Sequence, residues 1–213
     1  MEAGMKLQAL LVFSIVSLAG TAVGAAGPTA PVMHDGLVPV KSRNLDKVYV
    51  RPDTNLAEYR KVMIDPVKVE FSKEWYGSVN DPRYVARIRP EDARRIADET
   101  TSNAGNIVAD AFKARGYEIA TAPGPGVLRL SPRVTELYVN APDVFPPGVT
   151  RSFARDAGEA TLVLEARDAV SGALLAVIVD HGTAQDMMRL YKRWATNSVA
   201  ELEAVKNQAR KPG

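Results

Sequence analysis

Apolar residues recur along this chain at two alternating periods. Between Tyr59 and Phe71, the residues Val62, Ile64, Val67, Val69 and Phe71 fall close to every second position. That spacing puts one side of a strand against a core. Asp65-Pro66 interrupts the run and shifts its phase. Proline has no N–H to give to a ladder, so the break predicts an edge position, a kink or a bulge. After Arg89-Pro90-Glu91-Asp92 the period becomes helical. Proline suits a first helical turn, and two acids there complement the helix dipole. Ile96, Thr100, Ala104, Ile107, Val108, Ala111 and Phe112 then share one face, and Arg115-Gly116 closes the helix.

Period two returns further on. Tyr117 to Thr121 reads as a short strand, and Pro123-Gly124-Pro125-Gly126 as a turn. Leu128, Leu130, Pro132 and Val134 alternate with Arg129, Ser131, Arg133 and Thr135, but Leu137 and Val139 fall in the opposite phase. One extra residue, a bulge near Glu136, accounts for the slip. Residues 140–158 hold Pro142, Pro146 and Pro147 and read as a long loop. Thr161–Arg167 and Leu174–Asp180 are strands joined by Asp168-Ala169-Val170-Ser171-Gly172, which predicts an antiparallel hairpin. Asp186 caps a last helix whose stripe is Met187, Leu190, Tyr191, Trp194, Ala195, Val199, Leu202 and Val205. The fold class this implies is α+β, a mostly antiparallel sheet with two main helices packed on one face.

The N-terminal region follows other rules. Lys6 precedes the nearly continuous apolar stretch Leu7–Leu18, and small residues run from Ala19 to Ala26. This is a secretory signal peptide by pattern, with cleavage expected at Ala25 or Ala26. The stretch is shorter than the roughly 20 residues a bilayer span needs, although retention as an uncleaved anchor is the competing reading. We therefore expect a signal peptide over 1–26, a flexible arm over 27–44 and a single α+β domain over 45–210, with order beginning near Gly36-Leu37 or Leu45. Leu18-Ala19-Gly20 resembles the start of a lipobox, yet Thr21 stands where the lipidated cysteine would be. A threonine hydroxyl is a far weaker nucleophile than a thiolate at neutral pH. The expectation is a periplasmic or secreted, unlipidated protein with no stable membrane anchor after cleavage.

Composition narrows the function. The chain is 46% hydrophobic and 24% charged, which fits a packed domain. A formal net charge of +2 gives no footprint for nucleic acid. There is no cysteine, so stability must come from packing and no disulfide contributes. Of the two histidines, His34 lies in the expected arm and His181 at a strand end. Asp186 or Glu165 could join His181 at a metal, but no ligand spacing such as His-x-x-x-His occurs, and no metal or cofactor is expected. There is no Gly-x-Ser-x-Gly elbow or phosphate-cradling glycine loop, so no catalytic residue is assigned. Glu91-Asp92 is explained by the helix dipole and Ser171-Gly172 by a turn. Arg189, Lys192 and Arg193 beside Trp194 fit a solvated helix face, with anionic lipid or a partner as the alternative. Trp75, Tyr76, Phe145 and Phe153 are loop aromatics that either fold back to cover the sheet edge or, where exposed, are the candidates for contact with a partner.

One further pattern is carried by Gly36-Leu37, by Leu45 with Tyr49, and by Tyr59-Arg60-Lys61-Val62-Met63-Ile64-Asp65-Pro66-Val67. It continues in Gly116-Tyr117, in the Asp168–Gly172 turn and in Trp194-Ala195. From roughly His34 to Val205 the chain resembles the bacterial lipoproteins of domain-of-unknown-function family 3313. That resemblance implies an exported envelope protein of unknown activity and brings no catalytic residues with it. Thr21 departs from the family's lipid anchor. The reading is a non-enzymatic binding or assembly module with an envelope protein partner, contacted through sheet edges and the 140–158 loop. The alternative is a small-ligand-binding protein or hydrolase-like enzyme with a site near His181 and that loop.

Overall fold

The computed structural model describes residues 36–52, 54–82, 88–140 and 158–208. They build a mixed α/β structure around an eight-stranded, mostly antiparallel sheet. The strands are β1 (Val38–Val40), β2 (Lys47–Val50), β3 (Lys61–Ile64), β4 (Lys68–Phe71), β5 (Glu118–Ile119), β6 (Val127–Val139), β7 (Gly158–Asp168) and β8 (Leu174–Ala184). The helices are α1 (Trp75–Val79), α2 (Pro90–Ala114) and α3 (Met187–Gln208). The order across the sheet is β1-β2-β8-β7-β6-β3-β5, with β4 also on β6. Every pairing from β1 to β6 is antiparallel, whereas β3, β4 and β5 pair in parallel. The parallel margin follows from connectivity: α2 lies between β4 and the later strands, and a helical crossover returns the chain in the same direction. β1 lies within the 27–44 stretch, just after Gly36-Leu37: Val38–Val40 pairs with Val50–Val48.

Two bulges set the register, and both fall at the expected phase slips. From Ile64↔Leu130 to Lys68↔Arg133, the β3–β4 strand advances four residues while β6 advances three. The extra residue lies in the Asp65-Pro66-Val67 break. From Val69↔Val134 to Phe71↔Leu137 the excess is on β6 instead. Glu136 is that residue, with φ 53°, and the β6–β7 ladder also shifts between Thr135 and Tyr138. The Glu136 bulge inverts the phase of β6, so Leu130 and Val134 before it and Leu137 and Val139 after it all stay buried.

The helices bury the stripes read from the sequence. In α2, Ile96, Thr100, Ala104, Val108 and Phe112 are buried, and Arg89 N donates to the Asp92 carboxylate at 3.1 Å across the first turn. Gly116 then turns the chain at φ 82°. In α3 all eight stripe residues are buried, and Asp186 accepts from Met188 N at 2.9 Å. Helix α2 contacts α3 and β4, and α3 contacts β8. β8 does not alternate, because Leu174 to Asp180 are all buried. Its Ala176 and Ile178 join the main core, while Leu174, Val177 and Val179 form a second apolar cluster with Leu37, Tyr49 and Val163. Both faces are covered at this central strand, which erases the period-two signal.

Candidate functional site

The end of the sheet from which the 140–158 loop departs carries the described polar groups best placed to meet a ligand. Strand register explains their alignment. Tyr138 of β6 pairs with Glu159 of β7, and Glu159 pairs with Thr183 of β8. Side chains on cross-strand partners project to the same face, so a ring, a carboxylate and a hydroxyl stand in one row. With Asn140 and Gln185 they line an open cleft of about 570 Å³, within the size range of ligand pockets. Gly158 also lines it, and any side chain there would collide with the Tyr138 carbonyl oxygen.

His181 stands one row away on the same face, paired with Thr161. The Thr161 hydroxyl donates to Glu136 at 3.0 Å, and His181 Nδ1 lies 3.2 Å from the same hydroxyl. A hydroxyl has one proton. With that proton on Glu136, the contact requires His181 Nδ1–H to donate, which leaves Nε2 as the acceptor. His181 is thus not oriented as a base for Thr161. The bulge at Glu136 brings its carboxylate to this row.

A second polar cluster lies behind the row. Asp180 is 4% exposed, accepts from Asp46 N at 3.0 Å and has Arg193 3.8 Å away. Asp46 in turn accepts from His181 N at 2.8 Å. Burial, with the neighbouring Asp46 charge, holds the Asp180 carboxyl above the ordinary carboxylate range. Trp194 Nε1 approaches this carboxylate but makes no hydrogen bond of good geometry. Arg193 crosses Gly182 to reach Asp180, because a Cβ on Gly182 would lie 2.6 Å from its Nη2.

Other sequence candidates resolve as follows. Trp75 is corrected from contact candidate to core: it is 1% exposed, stacks on Phe71 at 4.3 Å and donates to the Val139 carbonyl at 2.8 Å. The short helix α1 folds it back, satisfying both its apolar body and its N–H. Tyr76, the next residue, is 46% exposed and remains available. Phe145, Phe153, Ala25, Ala26, Thr21 and His34 lie outside the described residues. Glu165 does not approach a metal with His181; it binds Arg167 at 2.8 Å and faces Arg133 at 3.8 Å. Asp186 caps α3 and lies 3.5 Å from Arg189. Among the described residues, no group of three or more His, Cys, Asp or Glu side chains is arranged to hold a metal. Ser171 is a turn residue, donating from N and Oγ to Asp168, both at 2.7 Å. Those bonds draw the Asp168 carboxyl below the usual range. Tyr59 donates to the same aspartate at 3.0 Å, and burial plus that bond push its phenol up to about 12.

The cleft residues Tyr138, Glu159, Thr183 and Gln185 escaped the sequence reading. Their only sequence signal is a polar position on the outer phase of three strands, shared by many surface residues.

The family model for DUF3313, described as a protein of unknown function, matches residues 29–211. The chain belongs to this family. No curated protein matches it. Among solved structures, a PelC dodecamer from Paraburkholderia phytofirmans is similar at 12% identity and TM-score 0.41, over 73% of this chain and 95% of that one. A DUF330 protein from Xanthomonas campestris is similar at 10% identity and TM-score 0.34, over 72% and 90%. A DUF4136 family protein from Bacteroides thetaiotaomicron is similar at 11% identity and TM-score 0.29, over 82% and 97%.

Proposed function

We propose that this chain is an exported cell-envelope protein acting as a non-enzymatic binding or assembly module. The observation that carries the reading is the cleft at the root of the 140–158 loop, where the ends of β6, β7 and β8 converge. The polar groups beside it are engaged with each other: Glu136 with Thr161, and Thr161 with His181. That arrangement fits recognition better than proton transfer, since His181 addresses no free nucleophile. The framework behind the cleft is taken as two layers, with both long helices over one face of the sheet. In support, one small interior void is lined by Ala104 and Val108 of α2, Tyr191 and Ala195 of α3, and Val134 and Leu162 of the sheet.

The module is placed in the periplasm or outside the cell, cleaved near Ala25 or Ala26 and unlipidated at Thr21. The export pattern of residues 5–26 supports this. Crosslinking of the mature protein in cell envelopes, followed by mass spectrometry, tests both parts. A specific envelope partner, with crosslinks mapping around Glu159 and Thr183, is expected. So is an N-terminal peptide starting at or just after Ala25. Recovery of no specific partner sinks the module reading.

A further inference from the structure

We infer that the outer edge of β4 is a self-complementary joint through which two copies of this chain pair as a symmetric dimer. The inference goes beyond the envelope-partner reading and does not rest on it. β4 pairs with β6 on one side, and no strand among the described residues pairs with its other side. Main-chain direction shows what that edge offers. Ser72 N donates to Leu137 O at 3.0 Å, so the main chain of Ser72 faces β6. Successive residues of a strand face opposite neighbours. Lys68 and Glu70 therefore face β6 as well, while Val69 and Phe71 face away. Val67 also faces away, and its carbonyl accepts from the Thr101 hydroxyl of α2 at 3.1 Å. Val69 and Phe71 thus hold N–H and C=O groups along an unpaired edge, the template to which another strand adds. The opposite margin of the sheet differs. Arg51 N donates to Leu175 O at 2.8 Å, so Val48 and Val50 face β1, and Val38 and Val40 face them in return. Pro39 is the β1 residue left facing out, and it has no N–H to give.

Charge selects both the occupant and its register. A second β4 laid antiparallel on this edge, with outward-facing groups opposite one another, can be centred on Lys68, on Val69 or on Glu70. The first choice sets Lys68 against its own copy, and the third sets Glu70 against its own copy. Centring on Val69 sets Lys68 of each chain directly opposite Glu70 of the other, on one face of the joined sheet. Opposite charges at such positions attract and like charges repel. The arrangement repeats itself about a two-fold axis, as a closed dimer requires. Val69 then exchanges both main-chain bonds with Val69 of the second copy. Phe71 N–H meets the Val67 carbonyl of that copy, which keeps a lone pair beyond the Thr101 bond. Lys68 and Glu70 are exposed, and neither forms an ion pair among the described residues. A lysine on an edge strand ordinarily discourages pairing with a like strand. Here the glutamate two residues on converts it to an attraction.

Sedimentation of the mature chain from about 1 to about 100 μM tests the joint, with the mass expected to rise from one chain toward two. Lys68→Glu and Glu70→Lys each oppose like charges twice and should each weaken the dimer about tenfold or more. Mixed in equal amounts, the two variants restore both pairs, and the dimer should return to within about threefold of the parent. Val69→Pro removes an outward N–H that β6 does not use and should leave a monomer. The charge variants sit at exposed positions, so they report on the joint even if Val69→Pro fails to fold. A single-chain mass throughout overturns the inference. So does a dimer that ignores both charge variants, or variants that stay monomeric when mixed. An envelope partner lost in Val69→Pro, beside a parent that is monomeric alone, assigns the edge to a foreign strand and overturns the dimer as well. A monomer with a specific crosslinked envelope partner removes the dimer and leaves the module reading standing. A dimer without such a partner does the reverse.

Discussion

Two aspartates show how one residue type takes opposite roles according to what surrounds it. Asp168 is fed by Val170 N, Ser171 N, Ser171 Oγ and the Tyr59 hydroxyl, so its ionised form is favoured. Asp180 is buried, faces Asp46 at the entry to β2, and has Arg193 of α3 only at 3.8 Å. Its neutral form is favoured. The pH consequences differ in sign. As pH falls through the carboxylate range, the unfolded chain protonates Asp168 before the folded chain does, so stability is lost on the acid side. As pH rises through that range, the unfolded chain releases the Asp180 proton first, so stability falls between the ordinary carboxylate value and the raised one. Thermal melts from about pH 3 to about pH 7 should separate them. Asp180→Asn should remove the falling limb toward neutral pH. Asp168→Asn should blunt the acid loss and cost about 1 kcal/mol at neutral pH through weaker hydrogen bonds. An unchanged pH profile in Asp180→Asn refutes the burial account of that residue. Glu136 offers a third test at this scale. A β-branched side chain resists its left-handed backbone, whereas glycine accepts it. Glu136→Val should cost about 1–2 kcal/mol and Glu136→Gly much less; equal losses in denaturant melts would mean that the Thr161 bond, not the backbone, governs the position.

Long elements were legible because their periodicity is repeated often enough to be read. The α3 stripe needs about six turns of consistent spacing, and all eight of its members are buried. The β6 slip at Glu136 and the break at Asp65-Pro66 were also visible, since a bulge inverts phase. Two of the short elements were not. Val38–Val40 is too short to show alternation, and α1 holds Trp75 through tertiary contacts that no local pattern announces. The parallel pairing of β3 with β6 is hidden as well, because period two is common to both directions. The cleft was half visible. His181 stood out as a rare residue type, but Tyr138, Glu159 and Thr183 become a row only once two registers are known. Close approach of elements was equally silent, and it yields the prediction at this scale. A Cβ on Gly182 would sit 2.5 Å from Leu190 Cδ1, where α3 rests on β8. On Gly158 it would meet the Tyr138 carbonyl oxygen, which belongs to backbone. Side chains yield more readily than a ladder, so Gly182→Ala should lower stability by about 1–3 kcal/mol and Gly158→Ala by more. Chemical denaturation of the two variants ranks them, and the reverse order would show that the helix contact is the stiffer one.

The whole molecule poses a question of attachment that its fold does not answer. No described helix is long and apolar enough to cross a membrane. The apolar stretch Leu7–Leu18 is likewise shorter than a span of roughly 20 residues. A chain exported as proposed is held at a membrane by a lipid or by a partner, and the lipid route needs one thiolate at the right place. Leu18-Ala19-Gly20 is followed by Thr21, and the chain has no cysteine anywhere. Installing that thiol is therefore a clean experiment, because any thiol-dependent signal can come only from the new position. In a bacterial host supplied with labelled palmitate, Thr21→Cys should take up label and move to the membrane fraction, while the parent stays unlabelled. The folded part should be indifferent, so the variant cut free of its leader should melt with the parent. Label on Thr21→Cys makes the parent an unanchored relative of lipid-bearing proteins, dependent on a partner for residence in the envelope. An unlabelled variant means that Leu18-Ala19-Gly20 is ordinary signal-peptide composition, and cleavage at Ala25 or Ala26 then carries the whole of the export reading.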